Sequence, residues 1–167
     1  MQIDEIKVLY DYNDWANERL LQTVEELSEA QLHTDMHNGM GSMHTTLAHM
    51  LSGQWIWRTR WQGGRPDTML SPESFPTLAA LRVRWSEEEQ LMRSFLSTLH
   101  DEDLTREIEY ISTMVPGKIF ILPLWQTMVH VINHNTQHRS EIAMRLTEWR
   151  HSPGELGMNA FFNRKLL

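Results

Sequence analysis

Apolar positions near the N-terminus recur at steps of three and four: Ile3, Ile6, Tyr10, then Leu20, Val24 and Leu27, with Asn13 and Asn17 holding the same seam. That period places them on one face of a bundle helix. The two asparagines either form a polar layer that fixes register or mark a buried polar site nearby. A second helical segment opens at Ser42, a residue suited to an N-cap, and runs to Trp61 before Gly63-Gly64 and Pro66 stop it. Its apolar residues point almost all round the axis, so it is expected to be buried on several sides, by its own bundle or by a partner subunit.

Residues 63–76 are rich in Gly, Pro and Ser and read as a loop. A third helix follows Pro76, capped by Thr77 and extending to about Leu99, with Leu78, Leu81, Trp85, Met92, Leu96 and Leu99 as its stripe. Residues 106–121 break the helical period. Ile108, Tyr110 and Ile111, the Pro116-Gly117 pair, then Ile119, Phe120 and Ile121 read as two short strands around a turn. The last long helix starts at about Pro123 and reaches about Trp149, and Phe161 and Phe162 are expected to dock the tail on the body. The expected fold is therefore all-α: a four-helix bundle with a short β-hairpin-like insertion before the last helix, as one domain over residues 1–167.

Charge and composition narrow the function. The formal net charge is -7 with no Lys/Arg block, so nucleic acid and anionic membrane are not expected partners. With no cysteine, disulfides, iron–sulfur clusters and a protein thiol nucleophile are excluded. The opening MQIDEIKVLYDYNDWANERLL has early acids and no apolar run ahead of a cleavage site, and no stretch approaches the roughly 18 apolar residues of a membrane helix. A cytoplasmic protein is expected. H-E-x-x-H, G-x-G-x-x-G, Walker and G-x-S-x-G motifs are absent.

Nine histidines remain to be explained. His130, His134 and His138 lie four apart on the last helix, so each step drifts about 40° around the axis and rises about 6 Å. The apolar stripe of that helix is centred on Leu124, Met128, Ile142 and Leu146. His138 falls at its edge, His134 further out and His130 further still. A metal inside the bundle would take His134 and His138, leaving His130 beside them or in solvent. A third ligand must come from another helix, and His49, inside the apolar second helix, is the natural candidate, since an imidazole there needs a partner. Gly53, one turn on, leaves space beside it. His44 is a weaker choice; His33, His37, His100 and His151 read as surface residues.

Three motifs in order make the chain recognisable. Tyr12-Asn13-Asp14-Trp15-Ala16-Asn17, then Leu47-Ala48-His49 followed by Trp55 and Trp57, then His130-Val131-Ile132-Asn133-His134 with His138-Arg139 resemble the DinB-like family of bacterial proteins. The resemblance covers about residues 10–146. It implies a four-helix bundle, often a homodimer, with a three-histidine site for Zn²⁺, Ni²⁺ or a similar ion on His49, His134 and His138. It also implies a metal-dependent transferase or isomerase that uses a low-molecular-weight thiol on a small-molecule substrate. Where the family often has Gly-Gln after the His-Arg pair, this chain has Ser140-Glu141. Glu141 could orient a ligand, act as a base or lie in solvent. Arg139, facing the apolar stripe, is expected to need a buried carboxylate or a subunit partner.

Three imidazoles leave a position open on the ion, the arrangement of a catalytic rather than a structural site. Thiol transfer at the metal is the leading expectation, ahead of hydrolysis by activated water. The rivals are a non-catalytic metal-binding stress protein and a protein-interaction bundle with structural histidines.

Overall fold

Residues 1–37, 39–113, 115 and 117–165 are described by a computed structural model. Four long helices, α1 (Ile3–Val24), α3 (Met43–Trp61), α4 (Leu78–Ser97) and α5 (Leu124–Glu148), form the body. A single turn, α2 (Glu29–Leu32), a terminal helix, α6 (Met158–Asn163), and two short 3-10 helices, Pro72–Ser74 and Asp101–Thr105, add to the helical content. The strands β1 (Glu107–Ile111) and β2 (Ile119–Pro123) pair antiparallel just before α5. Pro116 of the expected turn lies outside the described residues. No helix among them is long and apolar enough to cross a membrane.

The helix boundaries follow local chemistry. Ser42 Oγ accepts the amide of Thr45, and Thr77 Oγ1 accepts that of Ala80, each satisfying a first-turn donor. At the far end of α3, Gly63 takes φ +88°, which lets its amide and that of Gly64 bond the last-turn carbonyls of Arg60 and Thr59. Pro123 closes β2 and occupies the N-cap of α5 rather than its first turn.

The core divides into two apolar regions. One, at the hairpin end, includes Ile6, Tyr10, Trp61, Leu96, Leu124 and Met128; the other includes Leu20, Leu47, Leu51, Leu81, Ile142 and Leu146. From the order in which each helix meets these regions, α1 and α5 run one way and α3 and α4 the other. Parallel neighbours α3 and α4 need a connection that returns along the bundle. Residues 62–77 can span about 50 Å extended, ample for a 19-residue helix of about 28 Å. The return is pinned to α3: Ser52 Oγ accepts the amide of Leu70 at 2.6 Å, and His44 Nε2 meets the carbonyl of Phe75 at 2.6 Å. That bond, not a ligand role, accounts for the buried His44.

A polar layer separates the two apolar regions. Asn13 donates to Gln54 Oε1 and accepts from Asn135 Nδ2 and Arg139 Nη1, and Arg139 also donates to Asn17 Oδ1 at 2.8 Å. Arg139 is buried, and its hydrogen bonds go to neutral acceptors rather than to a carboxylate. Arg139 Nη2 also donates to Thr136 Oγ1 and Tyr12 OH, so neutral acceptors spread over α1 and α5 satisfy the guanidinium. α3 is buried nearly all round by its own chain, with α5 and α4 packed on it. Of the two tail phenylalanines only Phe161 docks: its ring packs on Tyr12 and Trp15, whereas Phe162 is 56% exposed, and Tyr12 OH donates to the carbonyl of Leu156.

Candidate metal centre

α3 and α5 pack side by side, and their facing surfaces meet at the level of the polar layer. There the chain brings together His49 from α3 with His134 and His138 from α5; one ring nitrogen from each lies within 4.8 Å of the other two. Ring centroids are 4.9 Å apart for His49–His134 and His49–His138, and 4.6 Å for His134–His138. Among the described residues this is the group of three His, Cys, Asp or Glu side chains close enough to hold one ion.

The gradation along α5 follows the helical wheel. His138 is buried, His134 half-buried and His130 exposed. His130 stands against the Trp57 ring at 5.4 Å and 6.0 Å from His134, outside the cluster. Gly53 gives the space anticipated beside His49, but its occupant is His134: a Cβ on residue 53 would fall 3.1 Å from His134 Cε1. His33, His37 and His100 are exposed, and His151 pairs with Glu26 at 3.1 Å.

The donor set suits a borderline divalent ion. His49 Nε2 and His134 Nε2 are 2.9 Å apart. Two nitrogens at the usual zinc–imidazole distance in tetrahedral geometry stand about 3.3 Å apart, so a few tenths of an ångström of opening would accept an ion. His138 Nδ1 lies 2.9 Å from Glu141 Oε2. A carboxylate oxygen only accepts, so Nδ1 carries a proton, and Nε2 is the ring nitrogen left to face an ion. Burial, reinforced by the neighbouring imidazoles, lowers His134 to about 3, and burial likewise lowers His49 from the ordinary histidine value. Both rings are therefore neutral at pH 7, the state that ligates metal.

The comparisons bear on family and fold. The profile of the DinB family matches residues 1–160. The chain belongs to the DinB family. Protein DinB of Bacillus subtilis (strain 168) is similar, 23% identical over 168 residues that cover 93% of this chain and 94% of that protein. Among solved structures, YfiT from Bacillus subtilis superposes with a TM-score of 0.54 at 18% identity, covering 88% of this chain and 87% of that one. YfiT is described as a probable metal-dependent hydrolase with an unusual four-helix bundle topology. At that identity the likeness establishes the fold; in this chain α3 and α4 run parallel, unlike neighbours in a simple up-and-down bundle.

Two buried polar residues have structural partners that were not legible in the sequence. Glu88 is fully buried on α4 and held by Arg58 and Arg84; its place on the α4 stripe, three residues after Trp85 and four before Met92, signals burial, but nothing local reveals its partner on α3. His44 sits on the buried face of α3 like a ligand candidate, and only the path of the 62–77 connection reveals its partner.

Proposed function

We propose that this DinB-family chain is a metal-dependent enzyme in which His49, His134 and His138 hold one divalent ion that activates a small nucleophile. The observation that carries the reading is the convergence of three imidazoles, two of them kept neutral by burial, from two helices onto one point. Zn²⁺ or Ni²⁺ suits such nitrogen donors, and when bound would supply Lewis acidity, lowering the pKa of a coordinated water or thiol. The chain's own contribution is to hold three rings on rigid helices, backed by the packed polar layer, so that little reorganisation accompanies binding.

With no cysteine in the chain, a thiol nucleophile must arrive as a co-substrate. Thiol transfer to a small electrophile, implied by the family resemblance, is the first reading. Hydrolysis is the second, favoured by the description of YfiT. Elemental analysis of tag-free protein tests the common claim: about one ion per chain is expected in the parent and none in His49→Ala or His138→Ala. Parent protein that stays metal-free after incubation with Zn²⁺ and Ni²⁺ would overturn it. Assays of the loaded protein with thiol–electrophile pairs and with ester or amide substrates then separate the two reactions.

A further inference from the structure

Glu141 is in hydrogen-bond contact with the histidine cluster. It sits one turn after His138 on α5, half-buried, with Oε2 2.9 Å from His138 Nδ1. It is not one of the three clustered donors, and its negative charge also reaches His49, whose protonated form it favours. A carboxylate so placed does two things to a ligating imidazole. It fixes the tautomer with the proton on Nδ1, presenting Nε2, and it raises the electron density of the ring as a donor.

We propose that Glu141 is the positioning residue of the metal centre: its carboxylate holds His138 in the Nδ1–H form, aims Nε2 at the point where His49 Nε2 and His134 Nε2 already meet, and thereby sets the affinity of the site. This rests on the metal reading above and deepens it by giving a role to a residue outside the three clustered donors. Glutamine can accept the same hydrogen bond but brings no charge, so the acid makes the centre less positive when loaded and strengthens its hold on the ion. A neutral acceptor would leave the ion more electrophilic and more weakly held.

The test compares parent protein with Glu141→Gln and Glu141→Ala. In ion-free protein, ¹⁵N-detected imidazole spectra report the His138 tautomer directly; the Nδ1–H form is expected to dominate in the parent and in Glu141→Gln, and to lose its dominance in Glu141→Ala. Zn²⁺ affinity, from competition with a chromophoric chelator, is expected to fall about 10- to 100-fold in Glu141→Ala and by less in Glu141→Gln. The thermal midpoint of the ion-free variants controls for folding. The Co²⁺ ligand-field spectrum should keep its form in both variants, since the ligand set is unchanged. An altered Co²⁺ spectrum would make Glu141 a ligand and overturn the positioning role. Unchanged affinity and tautomer in Glu141→Ala would overturn it too, while one Zn²⁺ per chain in the parent left the metal reading standing. A parent that binds no Zn²⁺ would remove both.

Discussion

The Cβ that Gly53 lacks marks the tightest steric condition of the histidine cluster. Glycine inside a helix costs about 1 kcal/mol relative to alanine, and α3 tolerates it where His134 leans across from α5. Alanine at 53 should therefore show two effects of opposite sign. Its helix propensity favours the ion-free fold, so the thermal midpoint should hold or rise. Its Cβ, 3.1 Å from His134 Cε1, must push that ring by a few tenths of an ångström, more than the roughly 0.2 Å tolerance of a metal–nitrogen bond. Zn²⁺ affinity should fall about tenfold or more, by analogy with other disturbed ligand supports. An unchanged affinity in Gly53→Ala would show that His134 is not held against α3 in the binding state. The wheel argument placed a gap beside His49, but which side chain fills it depends on the rotation of α5, which no local pattern encodes.

At the scale of elements, α3 and α4 are joined by a buried ion triad. Glu88, 1% exposed at the side chain, accepts from Arg58 Nε and from Arg58 Nη2 at 3.0 Å, and Arg84 Nη2 closes on it at 2.8 Å. Two guanidiniums on one buried carboxylate leave a large uncompensated charge if the acid is removed. Glu88→Ala should destabilise the fold by about 3–5 kcal/mol, read by chemical denaturation. Glu148→Ala, which breaks the exposed pair with Arg145, should cost no more than about 1 kcal/mol. Equal effects at the two positions would refute the assignment of the triad as the α3–α4 tie. The hairpin was legible from its break in helical period, and its inward face, Ile108 with Tyr110 and Phe120, follows the two-residue alternation. The ends of α4 and α5 fell within a residue or two of the positions read from caps and stripes. The Arg58–Glu88–Arg84 triad did not, because the residues belong to different helices and a charged residue in a helix is ordinarily solvated.

The whole molecule carries opposing titrations. Between α1 and α4, burial raises Asp14 to about 6 and Glu89 to about 7, with Arg93 opposing the shift in each. Both carboxyls bind protons more readily folded than unfolded, so each penalises the fold above its folded value and the penalty fades as the pH falls. His134, lowered to about 3, acts in reverse: below the ordinary histidine value of about 6.5 the unfolded chain takes a proton the fold refuses, and stability is lost toward acid. His49 and His130, also lowered by burial, add to that loss toward acid, opposing the gain from the two carboxyls. Glu89→Gln retains an acceptor for Trp85 Nε1, which bonds Glu89 Oε1 at 3.1 Å. It should be more stable than the parent at pH 8, with the advantage vanishing by about pH 5. Denaturation midpoints across that range check it, and a pH-independent difference would contradict the linkage.

Period, caps and composition determined most of what is local in this protein: four long helices, the hairpin, the absence of a cysteine nucleophile in the chain, and the order of exposure His138, His134, His130 along α5. These are properties of one element at a time, set by side-chain spacing and by the backbone donors each helix start must satisfy. The tertiary structure decided everything that needs two elements placed against each other. It runs α3 parallel to α4, sends residues 62–77 back along α3 onto His44 and Ser52, gives Arg139 neutral partners instead of an acid, leaves Phe162 in solvent, and brings His49 to the α5 pair with Glu141 behind His138. Those outcomes turn on the relative rotation and direction of packed helices, which many distant apolar contacts fix together and no single stretch of sequence records.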